Sequence, residues 1–325
     1  AASRLLHVPP AGPVVHRTFT ELPDLLRSDD LLVLNETRVI PARLALVRET
    51  GGAVEALLTR PAPGGGWGAM LRPSKRLRAG EILRGASGDY SVTLRELTGG
   101  GEGVLDFGDA SAESVMRRHG EVPLPPYVRR AATDEDRERY QTVFARVPGA
   151  IAAPTAGLHF DEDLLGRIRS RAGEPARVVL HVGPGTFRPL PDGDLADHRL
   201  DAERFEVPEE TWERVQSTRE SGGRVVAVGT TVVRALESRA AGAETETGLF
   251  IRPPYGFRVV DALVTNFHLP RSSLLCLVSA LVGRERILDA YREAVRERYR
   301  FYSYGDATFL ERPATVKSPA PPEGA

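Results

Sequence analysis

Three runs of apolar, β-branched residues, at 177–182, 224–228 and 259–265, constrain the fold more than any other feature of the chain. None shows strict alternation with polar residues, so each belongs to a strand covered on both faces, as in the interior of a parallel sheet. Parallel neighbours need a crossover of a dozen or more residues, usually a helix. Helical segments at 161–172, 209–221, 230–241 and 272–282 lie between or after the runs and supply it. Residues 30–34 (DLLVL) add a further short buried strand near the start. A charged amphipathic helix is expected at 285–299, with Ile287, Leu288, Tyr291 and Val295 on its apolar side. The main fold class is α/β.

From about residue 39 to 107 the texture changes. Short β-rich runs at 54–59, 67–71, 81–83, 90–97 and 103–107 are separated by glycine-rich turns such as 63–66 and 99–101. That spacing predicts a small antiparallel barrel or sandwich. The proline-rich stretch 122–126 punctuates the chain and returns it to the first domain. The tail from about 313 reads as disordered, and no internal repeat is visible.

Composition excludes several classes. Hydrophobic residues make up 41% and charged residues 27%, a globular rather than a disordered balance. No apolar run approaches the roughly 18 residues of a membrane span; the most apolar, 274–282, is broken by Ser279. The start has no charged segment leading into an apolar core, so no secretory signal is expected. A single cysteine, Cys276, excludes an internal disulfide and a Cys-rich zinc site. With 43 basic against 44 acidic residues, any RNA must be held by a local patch on a neutral body.

Four segments combine glycine, hydroxyl residues and histidine at strand ends, where open α/β sheets hold ligands. They are 152–160 (AAPTAGLHF), 181–187 (HVGPGTF), 228–231 (VGTT, with Arg234 one turn on) and 265–270 (TNFHLP). Each has a bland reading as a helix cap or tight turn, and the Gly183-Pro184-Gly185 turn lacks the third glycine of a dinucleotide fingerprint. Four in one domain outweigh the bland reading. His159, His181, His198 and His268 have no metal-ligand spacing, and no Gly-x-Ser-x-Gly elbow occurs.

The stretches 30–44 (DLLVLNETRVIPARL), 67–80 (WGAMLRPSKRLRAG), 124–128 (LPPYV), 138–145 (ERYQTVFA) and 149–160 (GAIAAPTAGLHF) are continued by 180–189 (LHVGPGTFRP), 224–238 (RVVAVGTTVVRALES), 259–275 (VVDALVTNFHLPRSSLL) and 299–307 (YRFYSYGDA). In this order, across nearly the whole chain, they resemble the S-adenosylmethionine:tRNA ribosyltransferase-isomerases of queuosine biosynthesis. The resemblance implies an α/β main domain, residues 1–39 and 127–325, with a small antiparallel β-barrel domain inserted at 40–126. It implies a cytoplasmic, monomeric enzyme without metal, cofactor or membrane contact. S-adenosylmethionine is a consumed co-substrate, and the acceptor is 7-aminomethyl-7-deazaguanine at the tRNA wobble position. The product base is epoxyqueuosine, with adenine and methionine released. Two departures stand out. Family members usually carry a further segment before the Ser-Arg-Leu-Leu found at 3–6. They also read His-x-Met-His-x-Glu where this chain has 198–203 (HRLDAE), so Asp201 replaces a histidine. The alternative reading is therefore a catalytically altered or inactive tRNA-binding paralogue. A methyltransferase is a second rival, which would yield S-adenosylhomocysteine.

In the family's scheme the sulfonium acidifies the ribose C5′ protons. Removal of one gives an ylide that expels adenine, the acceptor amine attacks, and loss of methionine closes the epoxide. Such a site needs a base, a proton donor and exclusion of water. The candidates are Glu203, then His159 and His181, as catalytic groups. Arg38 and Arg234 suit a carboxylate or phosphate, and Thr155, Thr231 and Asn266 suit substrate hydroxyls. Gly157, Gly183, Gly185, Thr186, Gly229, Thr230 and His268 complete the substrate set. For tRNA the clearest basic run is 72–78, with Lys75, Arg76 and Arg78; its bland reading is a solvated face.

Overall fold

The computed structural model describes residues 3–125, 128, 130, 132–183, 185, 190, 193, 195 and 198–314. Thr186 and the tail from 315, both named above, lie outside them. The chain forms two compact units, one of residues up to 37, 142–147 and from 154 onward, the other of residues 38–141 and 148–153.

The first unit is built on a nine-stranded sheet. In chain order its strands are β1 (Arg4–Val8), β2 (Val15–Thr18), β3 (Leu31–Asn35), β4 (Ala176–Leu180), β5 (Glu203–Glu206), β6 (Val225–Val228), β7 (Glu246–Thr247), β8 (Ala262–Asn266) and β9 (Ala307–Glu311). Their spatial order is β7-β5-β4-β3-β6-β8-β9-β1-β2. The central four, β4-β3-β6-β8, are parallel: Val33 sits opposite Ala176 on one side and Ala227 on the other, and Val228 opposite Val264. Every residue of β3, β6 and β8 is buried, which is why these strands read as unbroken apolar runs.

Helix α1 (Glu162–Ala172) covers one face of this sheet. Its Leu164, Leu165 and Ile168 join Phe19 and Leu22 against Leu32, Leu34, Val226 and Val264. The Asp161 carboxylate caps it by accepting the Leu164 N–H at 2.9 Å. Helices α2 (Glu209–Glu220) and α3 (Thr230–Ala240) form the next two crossovers, and α3 packs on β3, β4, β6 and β8. Helices α4 (Ser273–Val282) and α5 (Arg284–Arg296) close the unit. Here the structure corrects one expectation: Val295 is 64% exposed, and the buried face of α5 is Ile287, Ala290 and Ala294. At 100° per residue, position 294 returns to the line of 287 whereas 295 overshoots it. The small alanines hid the true stripe.

The second unit contains a closed six-stranded antiparallel barrel. Its order is Glu102–Asp106, Trp67–Arg72, Ala53–Pro61, Arg43–Arg48, Ile82–Gly85, Ser91–Leu97. Alternate residues point inward, among them Leu44, Leu46, Val54, Ala56, Leu58, Leu83, Val92, Leu94 and Leu105. Helix Ala112–His119, capped by Ser111, adds Ala112, Val115 and Met116 to the same core. The strand Arg43–Arg48 was not singled out in the sequence, because arginines at both ends flank only two inward leucines.

One buried carboxylate secures the edge of the first unit. Asp306, just before β9, accepts the backbone N–H groups of Arg4 (3.0 Å) and Arg300 (2.8 Å) and hydrogen bonds from both guanidinium groups. Burial alone would raise its pKa, but the bonds from Arg300 and Arg4 outweigh burial and hold it at about 2, against an ordinary 3.8. A depressed carboxylate stabilises the fold above its unfolded pKa and loses that contribution as pH falls through the folded one. Asp306→Asn is therefore expected to cost about 1.5–3 kcal/mol at neutral pH. In denaturant unfolding, the difference from wild type should shrink between pH 3.8 and about 2.

Candidate active site

Because β4, β3, β6 and β8 run the same way, their C-terminal ends share one edge. Along it lie Leu180-His181, Asn35, Val228-Gly229 and Asn266. The chain places β4 on one side of β3 and β6 on the other, so the order reverses at β3, where α/β sheets open a ligand crevice. Asn35, 1% exposed, ties the ends together. Its Nδ2 donates to Leu180 O (3.0 Å) and Thr231 Oγ1 (3.2 Å), and its Oδ1 accepts from the N–H groups of Leu180 (3.1 Å) and Thr37 (3.2 Å). Asn35 was missed as a site residue; its one signal was a polar amide ending an apolar run.

The first and fourth segments meet in a buried polar cluster. Thr155 Oγ1 donates to Asn266 Oδ1 (2.9 Å), and Asn266 Nδ2 contacts His159 Nε2 (3.1 Å). With that amide orientation, His159 carries its proton on Nδ1 and donates to Ser3 Oγ (2.8 Å). The ring stacks on Phe19 at 4.9 Å. Burial lowers its pKa to about 4. Both nitrogens are committed, so His159 is a fixed neutral strut. Gly157 is there for packing: a Cβ would lie 2.7 Å from Phe144 and from Thr142. His268 is likewise buried, with Nε2 at 3.0 Å from Thr265 Oγ1 and a pKa lowered to about 4 by burial.

The second segment and Arg234, in the helix following the third, border a cavity of about 150 Å³. Gly183, Gly185, Asp201, Glu203 and Arg234 line it together with the apolar Leu190, Phe250, Leu274 and Leu277. Glu203 is buried and doubly held: Oε1 accepts the Gly183 N–H (2.7 Å) and Oε2 pairs with Arg234. Arg234 also donates through Nε to Leu249 O and through Nη2 to Thr247 O, both at 3.1 Å, so each guanidinium nitrogen has a partner. Asp201 lies against Gly185, where a Cβ would come within 2.8 Å of its carboxylate. Gly229, at φ +92°, adopts a left-handed conformation that lets α3 start directly from β6 with no side-chain cap.

Gly229 also approaches Ala156, and Asn35 links Thr231 to Leu180, so the four segments form one continuous strip. Only the second segment and the helix following the third reach the cavity, however. His181 is half-buried just after β4, at one end of the strip, with Nδ1 2.8 Å from Thr37 Oγ1; burial, then Arg204, lower its pKa. Thr230 is buried at the start of α3. In the second unit, Arg38 is exposed, as are Lys75, Arg76 and Arg78. The last three flank buried Leu77, and Glu81 holds their loop through Arg48 and the Arg78 N–H. Among the described residues no three His, Cys, Asp or Glu side chains form a metal-binding group.

The two buried histidines make a pH prediction. Their folded pKa values lie near 4 against an ordinary 6.5, so the unfolded chain binds protons first. Stability should fall as pH drops from 6.5 to 4, by up to about 3 kcal/mol per histidine, and level off below. Urea unfolding across that range checks it, and His268→Gln should flatten the slope.

A parallel-core sheet with a hydrogen-bonded C-terminal edge, joined in one chain to an antiparallel barrel, defines an α/β enzyme with an accessory β-barrel unit. The model of the queuosine biosynthesis protein family matches residues 1–310, and the chain belongs to that family. It is 52% identical to the S-adenosylmethionine:tRNA ribosyltransferase-isomerase of Anaeromyxobacter sp. (strain Fw109-5), over 96% of this chain and 92% of that one. The protein of the same name from Azoarcus sp. (strain BH72) is 51% identical over 96% and 91%. Among solved structures, the S-adenosylmethionine tRNA ribosyltransferase of Thermotoga maritima is similar at 36% identity and a TM-score of 0.51, covering 95% of this chain and 92% of that one. Identity at this level over nearly the whole chain gives the inactive-paralogue alternative no support. Among the described residues no helix is long and apolar enough to cross a membrane.

Proposed function

We propose that this protein transfers and isomerises the ribosyl part of S-adenosylmethionine onto 7-aminomethyl-7-deazaguanine in tRNA, giving epoxyqueuosine-tRNA, adenine and methionine. The match to ribosyltransferase-isomerases at about half identity over 96% of the chain carries this reading. It acts as a cytoplasmic monomer, with residues 1–39 and 127–325 as catalytic domain and 40–126 as inserted domain. Incubation with acceptor-bearing tRNA and S-adenosylmethionine, followed by mass analysis of the digested nucleosides, tests it. Release of S-adenosylhomocysteine instead of adenine would replace it with methyl transfer.

The geometry favours His181 over Glu203 as the base that takes the C5′ proton. Both Glu203 oxygens are engaged, one by the Gly183 N–H and the other by Arg234, so neither is placed to take a proton from substrate. His181 meets Thr37 through Nδ1, and in the tautomer that carries the proton there the Nε2 lone pair is left for substrate. Glu203 then anchors Arg234 and the Gly183 turn beside the cavity. At about 150 Å³ that cavity takes one end of the co-substrate, the adenine ring or the methionine thioether, against Phe250 and Leu277. His181→Gln should lower kcat by about 10²–10⁴-fold with little change in the KM for S-adenosylmethionine. Because the lowered pKa keeps His181 neutral at pH 7, the wild-type kcat/KM should fall only below pH 6.5, and the variant should lack that limb.

Lys75, Arg76 and Arg78 supply phosphate contacts. A protein of net charge −1 has no diffuse attraction for tRNA, so a few contacts carry the electrostatic affinity. Each lost contact flattens the salt dependence of binding by a slope of about 0.7–0.9. Lys75→Ala with Arg76→Ala should weaken tRNA binding and reduce that slope, with S-adenosylmethionine binding intact. An unchanged slope in filter-binding titrations would make this run a solvated face.

A further inference from the structure

Two loops at the end of β8 and the start of β9 carry a concentration of costly features. Among the described residues, three non-glycine positions have left-handed backbone: Arg271 (φ 59°), Arg298 (φ 56°) and Tyr302 (φ 73°). All three lie in these loops. So do three of the six large apolar or aromatic side chains with high exposure: Leu269 at 44%, Tyr302 at 42% and Tyr304 at 47%. Backbone of this kind persists only where surrounding structure enforces it. The enforcement is visible. Phe267 packs in tilted contacts against Phe301 at 4.9 Å and Tyr299 at 5.5 Å, Tyr291 receives the His268 N–H, and Asp306 binds the Arg300 N–H. Tyr299 and Ser303 are buried and Phe301 is partly buried, while Tyr302 and Tyr304 are exposed.

These loops adjoin the active edge, since Asn266 Nδ2 reaches Ser303 O at 3.4 Å. Arg271 and Arg298 are exposed on them. Exposed aromatic rings interleaved with guanidinium groups, on a rigid support, are the chemistry that holds unpaired RNA bases: rings stack on bases and cations meet the flanking phosphates. A wobble nucleotide sits in a single-stranded loop, so its neighbours offer free base faces. We infer that Tyr302 and Tyr304 form a stacking platform for the unpaired nucleotides beside the base being modified, with Arg271 and Arg298 as phosphate contacts. The inference rests on the proposed tRNA reaction and adds the element that positions the anticodon loop.

The test is binding of an anticodon stem-loop carrying the acceptor base to the full chain, with S-adenosylmethionine binding and thermal unfolding measured in parallel. Loss of one stacked base corresponds to about 5–150-fold in affinity. Tyr304→Ala and Tyr302→Gly should each weaken stem-loop binding within that range and raise the KM for tRNA, while Tyr304→Phe retains wild-type affinity. S-adenosylmethionine binding should not change. Tyr302→Gly also relieves the left-handed strain, so its Tm should be no lower than that of wild type, which a merely structural tyrosine would not permit. Wild-type affinity in both truncated variants overturns the platform while leaving the proposed reaction standing. Failure of the wild-type protein to bind the stem-loop overturns both.

Discussion

Asn35 is the amide on which the active edge depends. Strands β4, β3 and β6 end side by side, and the last residue of each ladder leaves backbone groups without a sheet partner. Asn35 meets this with donors and acceptors at once, bonding Leu180 in both directions and reaching Thr231 at the start of α3. An aspartate would supply acceptors only, and a leucine neither. In a site 1% exposed, an unmet backbone group costs about 1–3 kcal/mol. The relative placement of His181, Gly183 and the first turn of α3 follows from this one side chain.

How much of this was legible in the sequence differs by element for physical reasons. Interior strands β3, β6 and β8 were visible because burial on both faces favours apolar residues up to the polar positions at the C-terminal ends of β3 and β8. Strands β1 and β9 were not, because they carry Arg4, His7 and Glu311, which pair with one another or with Arg224 and Asp306, and Thr308, whose hydroxyl donates to the Thr265 carbonyl. The four glycine- and hydroxyl-rich turns were identifiable because strand-to-helix turns at a ligand edge draw on few residue types. Their internal roles were not. Nothing in the sequence separates a histidine with both nitrogens committed, such as His159, from one with a free lone pair, such as His181. That difference depends on Ser3 and Asn266, more than a hundred residues away in the chain.

The distribution of charge separates the two edges of the sheet. At the edge opposite the site, Arg224 binds Asp30 through two nitrogens and pairs with Glu311, which in turn meets His7 at 2.6 Å. Along the strand ends of the active edge the described polar groups include amides, hydroxyls and neutral imidazoles, and the Arg234–Glu203 ion pair lies beside the cavity. Replacing such a buried pair by well-packed apolar side chains is often neutral or stabilising, so its retention calls for a reason beyond stability. The proposed co-substrate supplies one. A sulfonium is a fixed cation, and an uncompensated guanidinium about 4 Å away would oppose its binding by about 4 kcal/mol at an effective dielectric near 20. Glu203 cancels that field while leaving Arg234 as a rigid wall fastened to Leu249 and Thr247. A neutral base is suited to the same demand: His181 can approach a cation without charge repulsion and becomes cationic only as the sulfonium carbon becomes an ylide, when the substrate's own net charge falls.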